Sequence, residues 1–478
     1  MVQFAPIADG QTPPDVLVSS HMTTSSYPRL VLATIVLLSA TALMGAKASP
    51  AQSSATTAKN ADASADRNEE VTPALPVIPD HQFSLADYKA KGDGKTMNTE
   101  AFKNAIAAVN AAGGGTLDVP AGTYLTGAID FCSSMNLHLE ANATILFSPN
   151  FDEYKSGASY RPLIQGNNLH DVMISGNGTI NGSGEAWWPS AIEFKIQANA
   201  AKARSNTSPR PKMVVFNTCQ RVLLQDITLT HAPVFNVYIS ASDDVTADHV
   251  TIINPANSPN TDGIDPAVCH HVLISHCNID TGDDCIAIKS GNDRGLEDVL
   301  ITDCTFGHGH GCSFGSETNG GDHHVTIRNC TFENTDIGVR LKSDRTRGGQ
   351  VSDIVYENLT MKNVGQAIVI TSYYPDRDIP AIGAHVAAQP VGNKTPQWSN
   401  ITIRNIVATG CTKNAGMILG LPESLATNIT LSNITIDAPS GLRIGYAKDV
   451  TLDKVSIKVA KGNPLIIEDT VTGLKQKP

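Results

Sequence analysis

The sequence predicts an all-β protein, a single-stranded right-handed parallel β-helix whose N-terminal end is capped by one helix. Three observations carry that expectation. Short segments of alternating apolar and polar residues recur: Ile274-Ser-His-Cys-Asn-Ile279, Ile301-Thr-Asp-Cys-Thr-Phe306 and Ile327-Arg-Asn-Cys-Thr-Phe332 share one pattern. Their fourth residues belong to a column, Val250, Cys277, Cys304, Cys330 and Leu359, with steps of 27, 27, 26 and 29 residues. Composition agrees, since charged residues make up only 17% of the 478 and 38 glycines supply turns. A repeat of this length marks a solenoid, in which each coil buries its apolar face against its neighbours.

Taken in chain order, the first feature is an apolar run from Leu30 to Met44, preceded by Arg29 and followed by Ala46-Lys47-Ala48. At about 15 residues it is shorter than the roughly 20 a membrane span needs. Residues 1–48 therefore read as a signal peptide cleaved near Ala48, and the protein as secreted or periplasmic, with no membrane attachment after cleavage. Residues 49–80, rich in Ala, Ser, Asp and Pro without periodicity, are expected to be a disordered linker, and 81–478 the β-helix domain. Helical apolar spacing between Glu100 and Ala112, ended by Gly113-Gly-Gly115, places the cap over the first coil.

Within the coils, the residue before the buried column is Asp303, Asn329, Asn358, Asn405 or Asn433. Asn and Asp tolerate the left-handed conformation that a sharp bend requires. The Asn-x-Thr triplets at Asn358, Asn400, Asn428 and Asn433 are thus residues of the repeat before they are glycosylation sites. Nine cysteines give an odd count, and Cys277, Cys304 and Cys330 are expected to stack as small hydrophobes. Two stretches break the period, Trp187 to Lys212 and Tyr373 to Trp398, and are expected to emerge as loops flanking a binding face.

A second column carries the chemistry. In Asp284-Cys-Ile-Ala-Ile-Lys289 and Ile337-Gly-Val-Arg-Leu-Lys342, alternation turns Ile286, Ile288, Val339 and Leu341 inward and Lys289, Arg340 and Lys342 outward. Asp262 falls at the position of Asp284 one coil earlier, Asp283 is its neighbour, and His310 matches one coil later. Coils lie about 4.8 Å apart, so three carboxylates share a space in which like charge should keep one protonated. A single Asp here is best read as a turn residue. Three acids converging with a histidine and exposed cations match instead the acid and base of glycoside hydrolysis. The net charge of −11 argues against a nucleic-acid partner, and no metal-ligand spacing, phosphate-cradling loop or nucleophile elbow occurs, so no metal or cofactor is expected.

Asn260-Thr-Asp262, Gly282-Asp-Asp284, Gly309-His-Gly311 and Arg340-Leu-Lys342 resemble, in order and spacing, the four motifs of glycoside hydrolase family 28, the polygalacturonases. The similarity runs from near residue 85 to 455. It implies an inverting hydrolase of pectin, a monomer acting on an acidic polysaccharide. Asp283 would be the general acid, Asp262 and Asp284 would hold the attacking water, and His310 would tune the acid. Asn260, Lys289, Arg340 and Lys342 would bind substrate, the last two gripping the galacturonate carboxylate. A tyrosine late in the cleft assists in this family, and Tyr373 and Tyr374 are both candidates. Rival readings are a rhamnogalacturonan hydrolase of the same family, a Ca²⁺-dependent pectate lyase and a non-catalytic carbohydrate-binding β-helix. Exo and endo cleavage are both open.

Overall fold

The sequence period becomes one turn of a coil. The computed structural model describes residues 71–201, 207–291, 294–376 and 378–478. The expected signal peptide and residues 49–70 of the expected linker lie outside the described residues. Among the described residues, no helix is long and apolar enough to cross a membrane.

The coils stack into a right-handed parallel β-helix with one 23-stranded and one 12-stranded sheet. Every inter-coil ladder is parallel; the antiparallel exception is a small hairpin, Lys155–Ser156 with Ser159–Tyr160. The column seen in the sequence is a stack in space. Asn278 N donates to Val250 O at 3.0 Å, Thr305 N to Cys277 O at 2.9 Å and Thr331 N to Cys304 O at 2.9 Å. Cys277, Cys304 and Cys330 are buried in it, and all nine cysteines are free thiols. Phe306 and Phe332 stack from adjacent coils, with ring centroids 4.9 Å apart.

The bends behave as expected. Asp303, Asn329, Asn358, Asn405 and Asn433 all take positive φ, from 50° to 57°. Their amides also form a ladder between coils: Asn358 Nδ2 donates to Asn329 Oδ1 at 3.1 Å, Asn405 to Asn358 at 2.9 Å and Asn433 to Asn405 at 2.8 Å. Helix α1 (Thr99–Ala111) covers the first coil with Phe102, Ala105, Ile106 and Val109. The chain then turns through Gly114 and Gly115, where an added Cβ would meet Ser134 O at 2.5 Å and His81 O at 2.6 Å.

Two expectations change. The insertion after Trp187 is not simply a loop, because Trp188–Ala200 forms helix α2, with Pro189 in its first turn. Residues 71–80 follow the coils in an extended path instead of hanging free. Ala74 N donates to Asp244 Oδ1 at 3.1 Å and Val77 N to Asp171 Oδ1 at 2.8 Å. The ordered body therefore starts before His81.

One buried group weakens the fold at high pH. Asp322 is 0% exposed, and neither carboxyl oxygen makes a well-formed hydrogen bond. Burial pushes its pKa up from 3.8 to about 7, opposed only by the nearby Ser290 hydroxyl. The folded chain holds this proton where the unfolded chain has lost it, so stability falls as pH rises between about 4 and 7. Asp322→Asn should therefore melt several degrees above wild type at pH above this window and equally with it below. Equal melting temperatures at both ends would contradict the assignment.

Candidate active site

The site lies on the outer face of the 12-stranded sheet. The strands that build it are β1 (Val237–Ser240), β2 (Ile264–Ala267), β3 (Ile286–Ser290), β4 (Cys312–Thr318), β5 (Ile337–Lys342) and β6 (Gln366–Thr371). Ile264, Ile286, Cys312 and Val339 are in register on successive strands. Two residues ahead of the first three stand Asp262, Asp284 and His310. Gly263 N donates to Asp284 O and Cys285 N to Gly311 O, both at 2.9 Å, which holds the turn segments in step.

The glycines around His310 are required by this stacking. A Cβ on Gly309 would strike Asp283 O at 2.2 Å, and one on Gly311 would strike Ile337 O at 2.2 Å. With both absent, His310 N donates to Asp283 O at 2.9 Å.

Asp262, Asp283 and Asp284 each place a carboxylate oxygen within 4.8 Å of the others. Their surroundings separate them. Asp284 is 2% exposed and saturated: Oδ1 accepts from Ser313 Oγ and Arg340, both at 2.8 Å, and Oδ2 from Lys342 Nζ at 2.5 Å. Burial alone would raise its pKa, but Lys342 and Arg340 overcome that and hold its carboxyl well below the usual range. Asp262 is 5% exposed, its Oδ1 has no hydrogen bond, and its nearest cation, Lys289, stands 3.5 Å from Oδ2. Burial, then the charges of Asp265 and Asp283, push it well above the carboxylate range. Burial and like charge thus favour the protonated form of Asp262, while the cations favour the ionised form of Asp284. Asp283 is the more exposed member. Asn260 Nδ2 donates to its Oδ2 at 3.5 Å, and His310 Nε2 lies 3.8 Å from its Oδ1.

The cations expected on the surface are not there. Arg340 and Lys342 face outward from β5 but are 8% and 4% exposed, covered by the segment around Tyr374. Burial without partners would be costly, and Asp284 supplies the countercharge. Lys289 is likewise tied to the buried Asp265.

Of the two candidate tyrosines, Tyr374 is at the site. Lys342 Nζ lies 5.3 Å from the centre of its ring, and its hydroxyl is pushed up to about 12, chiefly by burial. Tyr373 turns away, packing with Leu419, Leu421 and Tyr446.

Several contributors carry no motif. Asp336 holds His310 Nδ1 at 3.0 Å, and that histidine keeps its pKa down at about 2. Arg210 donates to Asn260 Oδ1 at 2.9 Å, and α2 brings Lys195 Nζ within 3.9 Å of Asp283. Both lie in the insertion, whose irregular spacing gives no register. Asp265 and Ser313 could have been found by extending the strand frame.

A divalent ion would fit the trio by distance, yet Arg340 and Lys342 already occupy both oxygens of Asp284. Asp248–His249–His276 and Glu297–Asp298–His324 also gather possible ligand atoms, as exposed or half-buried side chains stacked coil on coil.

The model of the family described as glycosyl hydrolases family 28 matches residues 111–464. The chain belongs to glycosyl hydrolases family 28. As a member of it, the protein is a glycoside hydrolase. It is 32% identical over 383 residues to a probable polygalacturonase of Vitis vinifera, covering 74% of each chain. It is 30% identical over 351 residues to an endo-polygalacturonase of Pectobacterium carotovorum, covering 69% of this chain and 81% of that one. Among solved structures, a hyperthermoactive exopolygalacturonase from Thermotoga maritima superposes with a TM-score of 0.70 at 28% identity, over 82% of this chain and 95% of the other.

The contrast between neighbouring aspartates can be measured as stability. Asp284→Asn strands two buried cations and should cost about 3–5 kcal/mol in urea unfolding. Asp283→Asn keeps an oxygen to accept from Asp284 N, at 3.0 Å, loses only longer contacts at a partly exposed site, and should stay within about 1 kcal/mol of wild type. Equal losses would contradict the assigned ion pairs.

Proposed function

We propose that the protein is an exported, monomeric polygalacturonase that hydrolyses α-1,4-galacturonosidic bonds of pectin with inversion. The observation that carries this reading is the aspartate trio flanked by cations: Lys212 from an earlier coil, Lys289 on the strand that follows Asp284, and Arg340 and Lys342 from two coils later. A substrate with a carboxylate on every sugar needs cations on both sides of the scissile bond. The remaining surface can be acidic, as the net charge of −11 requires.

One proton suffices for the chemistry. In the resting cleft Asp262 holds it. Transfer to the neighbouring Asp283 arms the general acid and leaves Asp262 as a carboxylate. Asp283 then protonates the glycosidic oxygen as the bond breaks. A water oriented by Asp262 and Asp284 attacks the anomeric carbon and gives its proton to Asp262. The products leave with the trio in its starting state. His310, steadied by Asp336, and Asn260, steadied by Arg210, hold Asp283 in place.

The short separation of the acids would by itself suit a retaining enzyme, where carboxyl groups are about 5–5.5 Å apart. Retention, however, needs a free carboxylate nucleophile. Asp284 has both oxygens engaged by cations, and Asp262, once its proton has passed to Asp283, serves as the base that takes the proton of the water, so water is the nucleophile.

The test is proton NMR of the first product from polygalacturonate, with reducing ends, ultraviolet absorbance and product sizes followed in parallel. The expected result is a β-configured new reducing end, no absorbance and no chelator effect. Asp283→Asn should lower kcat by about 10²–10⁴-fold, the typical contribution of a general acid. One small product from the start would mark exo action. An α-configured end would mean retention, and chelator-sensitive absorbance would mean a lyase.

A further inference from the structure

A cavity of about 340 Å³ opens next to Lys289, which stands 3.5 Å from Asp262; Lys212, Phe235 and Tyr238 line it from coils before Asp262, and Ser290 and Glu317 from coils after it. Its size is at the small end for ligand pockets and suits one sugar ring rather than an oligomer. The two lysines in it differ in their charge balance. Lys289 is paired with Asp265 and stands 3.5 Å from Asp262. Lys212 has no carboxylate partner among the described residues. Its ammonium sits 3.2 Å from the centre of the Tyr238 ring and 5.2 Å from that of Phe235. The two rings lie 6.2 Å apart at 25° and form one wall.

A largely buried cation without a countercharge is unfavourable, and aromatic faces offset only part of that cost. Burial lowers the Lys212 pKa to about 8, against the pull of Asp265 and Asp262. The ammonium is thus desolvated, pre-positioned and short of an anion, at the edge of a space that a sugar ring fits. Arg340 and Lys342 occupy the opposite side of the trio, with their charge largely spent on Asp284.

We propose that Lys212, against the Phe235 and Tyr238 rings, is the subsite for the free carboxylate of the uronosyl residue on the earlier-coil side of the scissile bond. It selects an unesterified sugar at that position. The inference rests on the hydrolase reading above and deepens it. Methyl esterification removes the charge that Lys212 lacks and adds bulk, so a methyl ester there leaves the cation buried and unpaired.

The experiment compares wild type, Lys212→Gln and Lys212→Arg on trigalacturonate and on trigalacturonate methyl-esterified at one or the other terminal residue. A lost charge-assisted contact of about 1.5–3 kcal/mol raises KM by roughly 10- to 100-fold. The expected pattern is that rise for Lys212→Gln on trigalacturonate, a smaller change in kcat, and loss of the wild-type discrimination against one terminal ester. Lys212→Arg should retain the discrimination. Unchanged KM and discrimination in Lys212→Gln would overturn the subsite while leaving the hydrolase reading intact. Calorimetric titration of trigalacturonate into Asp283→Asn, with and without Lys212→Gln, separates the two ideas. Binding that depends on Lys212 without any cleavage by wild type would retain the subsite and remove the hydrolase reading. Absence of both binding and cleavage would overturn both.

Discussion

The arrangement of the site follows from the spacing between coils. Backbone hydrogen bonds hold successive coils about 4.8 Å apart, and side chains at equivalent positions inherit that distance. In most columns the result is harmless: cysteines on cysteines, phenylalanines on phenylalanines, asparagine amides in a ladder. At one column the same rule puts Asp262 against Asp284, with Asp283 alongside. Carboxylates at that distance cannot all ionise without a countercharge. Everything distinctive about the cleft is a response to that repulsion.

Two responses are visible, and they divide the labour among the acids. Arg340 and Lys342 come from the coil two turns after Asp284 and clamp it in its ionised form. On the other side Lys289 is drawn mainly to Asp265, so Asp262 receives only a share of its charge and its protonated form is favoured. Asp283, between them and partly exposed, is the member that in the proposed mechanism exchanges a proton with substrate. Three residues of one type thus acquire three roles from their surroundings. The proposed anionic substrate would also find its cations inside the cleft, which reconciles an acidic protein with an acidic polymer.

How much of this could be read from the sequence depended on whether a residue lies within the repeat. Inside it, sequence separation converts directly into position: the Cys277 column, the left-handed Asn329 and Asn358, and the alignment of Asp262, Asp284 and His310 all came from counting. The direction of a side chain was also legible, but not its depth. Arg340 and Lys342 point outward as alternation requires, yet are buried, because the segment that covers them lies outside the repeat. That segment likewise decides between Tyr373 and Tyr374, and no period runs through it. Helix α2 with Lys195, and Arg210 and Lys212 beyond it, belong to the other insertion and were silent for the same reason. Asp336 falls on a turn whose contact with His310 depends on local backbone path. The extended path of residues 71–80 escaped notice because its attachment uses backbone N–H groups, which no side-chain pattern records.

The central claim is that coil stacking leaves one proton in the trio and that Asp262 holds it. Infrared difference spectroscopy of the carboxyl C=O stretch, wild type against Asp262→Asn at near-neutral pH, tests this directly. The account predicts one protonated carboxyl band in wild type that is absent from Asp262→Asn and persists in Asp283→Asn. A spectrum unchanged by Asp262→Asn, or a band lost instead in Asp283→Asn, would place the proton elsewhere and contradict it.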